Sequence, residues 1–106
     1  MINKQLGKID FNKSANEIER LIRGLNPWPS AYTKMDGKTL KIWDADVDDS
    51  ENDSAPGTIT EVGKDFIRVA TGKGSLKILE LQLEGKKRMK TRDFLNGAKI
   101  PDRMEG

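Results

Sequence analysis

The sequence predicts a small, mainly β domain: an antiparallel barrel, closed or nearly closed, preceded by one amphipathic helix and followed by a short helical turn. Three observations point that way. One segment near the N-terminus carries apolar residues at helical spacing, and five short β-prone runs separated by glycine turns come after it. No helices alternate with those runs, as a parallel α/β sheet would require. At 106 residues the chain suits a single domain, read as a linker segment over 1–13 and a barrel domain over 14–106.

Residues 1–13 are polar, with Lys4, Lys8 and Lys13 around an isolated Ile9 and Phe11, and no period survives in them. They read as a linker that docks one or two apolar side chains. Ser14-Ala15-Asn16-Glu17 fits a capping box, Ser14 accepting from the Glu17 amide while Glu17 reaches back. Ile18, Leu21, Ile22 and Leu25 then follow at i, i+3, i+4 and i+7, so a helix over about 15–24 has one apolar face. Gly24 and Asn26-Pro27-Trp28-Pro29 end it, because proline lacks a donor and disfavours helical geometry before it.

Ala31 to Met35 and Thr39 to Ala45 flank Asp36-Gly37, a dipeptide suited to a tight hairpin turn. In the second run Leu40, Ile42 and Asp44 alternate against Lys41, Trp43 and Ala45, with Trp43 a possible anchor for the second face. Thr58 to Val62, Asp65 to Thr71 and Ser75 to Leu83 are the next strands, and Leu79, Leu81 and Leu83 alternate with polar residues as in a half-buried strand. After Gly85 and a basic stretch, Thr91 reads as the N-cap of a short helix through Leu95 that Gly97 stops. The tail beyond Pro101 is expected to fray.

The formal net charge of +2 conceals a strong partition. Residues 1–43 hold eight basic and four acidic groups, 44–55 none and six, and 56–106 eleven and seven. A basic body therefore carries one acidic segment, Asp44 to Asp53, which reads as an exposed loop ending at Ala55-Pro56-Gly57 and turned away from any polyanion. Asp46, Asp48 and Ser50 echo the start of a calcium loop, but Glu51 replaces the sixth-position glycine and Gly57 the bidentate glutamate, so no metal is expected. With no Cys and no His, the chain lacks a disulfide framework, a thiolate nucleophile and the usual general base. Ser30, Ser54 and Ser75 have no His partner, and no carboxylate pair stands at a spacing that suits acid–base work. No stretch is apolar enough for a membrane span or a secretory signal, and the lack of Cys fits a reducing, cytoplasmic compartment.

Lys86-Lys87-Arg88-Met89-Lys90-Thr91-Arg92 places five basic and no acidic residues in seven positions. Such a tract is what a phosphate backbone requires, and it is equally what a solvated turn offers. Trp28, on a rigid Pro-flanked backbone, could stack a base or plug the junction between helix and barrel; buried area favours the plug. Gly72-Lys73-Gly74 lacks the GxxxxGK[ST] frame of a phosphate cradle and reads as a turn.

Taken together, Gly7-Lys8-Ile9-Asp10-Phe11 and Ile22-Arg23-Gly24-Leu25-Asn26-Pro27-Trp28-Pro29-Ser30-Ala31-Tyr32-Thr33 resemble the linker and entry helix of the C-terminal domain of methionyl-tRNA formyltransferases. Gly37 to Trp43, Ala55 to Ile59, Val69 to Gly74, Leu81 to Met89 and Asp93 to Gly97 continue the likeness in order. The resemblance implies an open Greek-key barrel similar to an OB-fold. It also implies two partners: initiator methionyl-tRNA and a covalently linked N-terminal formyltransferase domain. In the family that second domain transfers formyl from 10-formyltetrahydrofolate, using an Asn, His, Asp constellation and a Ser-Leu-Leu-Pro motif. None of these is present here, so the chain is expected to bind no cofactor and to be inactive alone. Charge and position nominate Lys86, Lys87, Arg88, Lys90 and Arg92 for tRNA, with Lys4, Lys8 and Lys73 as weaker candidates. The alternative is a structural docking module of another multidomain formyltransferase acting on a non-tRNA substrate.

Overall fold

In a computed structural model of the chain, which describes residues 8–25, 31–35, 37–48, 54–97, 100 and 104, helix α1 spans Ala15–Leu25. The Glu17 amide donates to the Ser14 hydroxyl oxygen at 3.2 Å, which supplies an acceptor to one of the helix's orphan donors. The other half of the expected box differs: the Glu17 carboxylate accepts from the Ser14 hydroxyl rather than from a backbone amide. Ile18 and Ile22 are buried and Leu21 half-buried, and through them α1 packs mainly on the second strand. The side chain of Leu25 lies outside the described ones.

Six strands come next: β1 Ala31–Met35, β2 Lys38–Asp48, β3 Ile59–Val62, β4 Ile67–Ala70, β5 Ser75–Leu83 and β6 Met89–Lys90, and then helix α2, Thr91–Leu95. All pairs are antiparallel, in the order β1-β2-β5-β4-β3 with β6 added to β5. The meander β3-β4-β5 returns to lie beside β2, which is Greek-key order. The path ends on β1 and β3, which do not pair, so the sheet is open and the fully closed alternative fails. Met35 faces Lys38 across a two-residue turn in which Gly37 has φ +79°, while Asp36 lies outside the described residues.

Leu40, Ile42, Ile67, Val69, Leu76, Ile78 and Leu81 form the core with Ile18 and Ile22. β5 pairs with β2 on one side and β4 on the other, and none of its side chains is exposed. Two expectations fail here for one reason. The β2–β5 register shifts on both sides of Asp44, a bulge that inserts an extra residue and reverses the facing of the residues beyond it. Ala45 is therefore buried and Asp44 exposed, opposite to strict alternation. On β5 the buried set is Leu76 and Ile78 and then Leu81 and Leu83, leaving Leu79 only half-buried.

The expected acidic loop is also partly strand. β2 runs to Asp48, and Asp46 and Asp48 stand opposite Lys77 and Ser75 of β5. Arg68 on β4 then pairs with Asp48 and with Glu61 on β3, so these carboxylates tie three strands together. Asp49, Ser50, Glu51 and Asp53 lie outside the described residues. Lys90, not Thr91, occupies the N-cap of α2, and Thr91 is the first helical residue, with its hydroxyl buried and unpartnered. At the tail, Met104 is fully buried and donates its amide to the Gly57 carbonyl at 2.7 Å, which is docking rather than fraying at that residue.

The segment 8–13 lies across the sheet as a strap. Ile9 is fully enclosed and Phe11 nearly so, and the Ile9 amide donates to the Tyr32 carbonyl at 2.8 Å. The Gly72 amide donates to the carbonyls of Phe11 and Lys13, and the Ala15 amide to that of Lys73. The Asp10 carboxylate accepts from the backbone and side-chain N–H groups of Asn12, each at 3.0 Å. These two bonds hold the carboxyl below the ordinary aspartate range. A lowered value stabilises the strap turn fully above that range, and the contribution disappears as pH falls through it. Acid titration followed at the Asn12 amide by NMR is expected to show the turn loosening below the ordinary aspartate value. Asp10→Asn should remove that acid limb.

Candidate nucleic-acid interface

The basic tract begins just past β5. The turn Leu83–Lys86 closes with the Lys86 amide donating to the Leu83 carbonyl at 2.9 Å, and Gly85 sits in it at φ +83°, a region that favours glycine. β6 then pairs Met89 with Leu81 and Lys90 with Glu80. Its two residues sit inside the basic tract, where no apolar alternation could reveal a strand. Lys86, Lys87, Lys90 and Arg92 are exposed and form no ion pair within the described residues.

Arg88 differs from its neighbours. Its Nε pairs with the Glu80 carboxylate, and its guanidinium lies 4.5 Å from the centre of the Trp43 ring. Both groups line an open cleft of about 570 Å³ with Ile22 and Arg23 of α1. Glu19, Asp44 and Asp46 complete its charged lining. Four carboxylates thus face two guanidinium groups, which makes the cleft acidic and unfavourable for a polyanion. The expectation that the acidic segment faces away from the basic tract therefore fails at one place: Asp44 and Asp46 share this cleft with Arg88. The bulge after Ile42 is what brings them there.

A second basic group gathers at the opposite end of β5. Lys8, Lys13 and Arg20 line a groove of about 360 Å³ between the strap and α1, floored by Ile18 and Leu21. The same groove holds the Asp10 and Glu17 carboxylates, which accept from Asn12 and Ser14, so three cations face two carboxylates and the groove keeps a net positive charge. Lys73 is exposed in the turn whose backbone meets Lys13 through Gly72. Lys13 and Arg20 are absent from the candidates that charge and position nominate. Lys4 and Trp28 lie outside the described residues. Within those residues no helix is long and apolar enough to cross a membrane.

A family model described as "Formyl transferase, C-terminal domain" matches residues 1–99. The chain belongs to that family. This formyltransferase C-terminal domain is 57% identical over 102 residues to a methionyl-tRNA formyltransferase of Agathobacter rectalis, covering 96% of the chain and 33% of the relative. It is 55% identical over 105 residues to the enzyme of that name from Lachnospira eligens, with 94% and 33% covered. The domain thus spans about a third of the length of these curated relatives. Among solved structures, HypX from Aquifex aeolicus crystallised with tetrahydrofolic acid superposes with a TM-score of 0.70 at 18% identity. That match covers 94% of the domain and 19% of HypX, and it shows a shared fold.

Proposed function

We propose that the domain holds initiator methionyl-tRNA by its backbone, so that a covalently linked N-terminal formyltransferase domain reaches the aminoacyl end with 10-formyltetrahydrofolate. The supporting observation is the exposed Lys86 and Lys87 beside a turn that the fold holds in place, continued by exposed Lys90 in β6 and Arg92 in α2, none of the four in an ion pair among the described residues. Folded RNA is recognised largely through shape, phosphates and 2′-hydroxyls, which needs cations on an ordered scaffold rather than a base-reading pocket. Curated relatives named as methionyl-tRNA formyltransferases lend the substrate class. Lys8, Lys13, Arg20 and Lys73 form a second patch for the same polyanion, with Lys4 preceding it in sequence. The chain has no His, and its own role is binding, not formyl transfer.

If about four phosphates are neutralised, affinity for an initiator tRNA should fall roughly a hundredfold between 50 and 200 mM salt, by counterion release. Filter binding or fluorescence anisotropy across that range measures it. Reversing the charges of Lys86, Lys87 and Lys90 should abolish binding while circular dichroism stays unchanged. Binding that ignores salt, or that survives the reversal, would instead favour a docking module serving a formyltransferase with a non-tRNA substrate.

A further inference from the structure

We infer that Arg88 is not one of the phosphate contacts but, with Trp43 and Gln82, a positioning clamp that holds the basic turn in its binding geometry; this rests on the RNA reading proposed for the domain. The contacts form a circuit. The Trp43 indole N–H donates to the Gln82 side-chain oxygen at 3.2 Å, and the Gln82 amide nitrogen donates to the Lys86 carbonyl at 3.1 Å. Arg88 covers the Trp43 face and pairs diagonally with Glu80, whose cross-strand partner is Lys90. On the other side, Glu84 exchanges two bonds with Thr39: its amide donates to the Thr39 carbonyl at 2.8 Å, and its carboxylate accepts from the Thr39 amide at 3.3 Å. The turn is therefore fastened at Glu84, at Lys86 and at Arg88, and the Lys86 and Lys87 side chains project from between the fasteners.

Each Arg88 contact opposes a role as phosphate ligand. A guanidinium stacked on an indole is already satisfied on one face, and its carboxylate partner would have to be displaced before a phosphate could replace it. Asp44, opposite Glu80 in the strand register, adds a second negative charge beside it. The same contacts suit a fastener. Free lysine side chains on a loose turn must be ordered at the moment of binding, and a turn ordered in advance avoids that cost.

The test separates contact from clamp by charge. Gln82→Ala changes no charge, yet it breaks the link between Trp43 and the Lys86 carbonyl. It should weaken initiator-tRNA binding by the 106-residue chain roughly fivefold through the cost of reordering the turn, with the slope of log affinity against log salt unchanged. Trp43→Phe, which keeps an aromatic face but removes the indole N–H, should act in the same direction. Arg88→Gln should also weaken binding without changing that slope, whereas loss of a true phosphate contact flattens it by about 0.7–0.9. Amide hydrogen exchange at Lys86 to Met89 should accelerate in Gln82→Ala. A flattened slope for Arg88→Gln together with unaffected binding by Gln82→Ala would overturn the clamp and restore Arg88 as a contact. Wild-type protein that shows no salt-dependent binding would overturn the RNA reading itself.

Discussion

Gly72→Ala is expected to destabilise the domain by about 1–3 kcal/mol, the usual cost of forcing a methyl group into a filled site, and by more if the strap lets go. A Cβ built on Gly72 would stand 1.9 Å from the Asn12 carbonyl oxygen and 2.7 Å from its carbon. Those atoms are backbone, so no rotamer change relieves the overlap. The Gly72 amide also holds the carbonyls of Phe11 and Lys13, so any shift loosens the strap where it is tied. Urea unfolding distinguishes two outcomes. A lower midpoint at constant m-value means the strap moves and stays docked. A reduced m-value means that Ile9 and Phe11 are already exposed in the folded variant, because m scales with the area uncovered on unfolding. In the second case Lys8 and Lys13 would leave the groove beside Arg20, and the proposed tRNA binding should weaken as well. A variant as stable as wild type would show that the close approach of strap and turn is wrong.

Ile78→Ala should cost about 2–5 kcal/mol, among the largest effects of any single truncation. Ile78 is fully buried on the central strand, opposite Ala45 of β2 and Ile67 of β4. Ala45 is too small to fill the void, and the neighbouring strands are held in register by their ladders. A domain of this kind has a total stability of about 5–15 kcal/mol, so one truncation removes a large share of it. Ile78→Val should cost only about 0.5–1.5 kcal/mol. Val62→Ala offers the contrast: Val62 is 46% exposed on strand β3, and its loss should fall within about 0.5 kcal/mol. Thermal or urea denaturation measures all three. Equal losses at Ile78 and Val62 would contradict a core centred on β5. In none of the three should the salt slope of the proposed tRNA binding change, since no charge is touched.

The elements readable in advance are those whose cause is local. Ser14 with Glu17 and the apolar spacing from Ile18 specify α1, and glycines at 37, 74 and 85, each at positive φ, punctuate the strands, because capping, periodicity and positive φ act over a few residues. The elements misread are those decided by a partner strand. Nothing between Lys41 and Asp46 announces a bulge, so the facing of Ala45 and Asp44 depends on their pairing with β5. Asp46 and Asp48 read as loop because charge runs are usually solvated, whereas Lys77 and Arg68 on neighbouring strands make them part of the sheet. β6 is two residues long and owes its existence to pairing with Leu81 and Glu80.

The candidate interface divides along the same line. The sequence by itself determined that a basic body exists, that a five-cation tract lies between Gly85 and Asp93, and that an active site based on His or Cys is absent from the chain. Composition and order along the chain suffice for each of these. Only the tertiary structure decided which cations are available. It assigned Arg88 to Glu80 and Trp43, and it gathered Lys8, Lys13 and Arg20 around one groove between strap and helix. Whether a charge is free depends on what lies within a few ångströms of it, and those neighbours come from strands and turns distant in sequence.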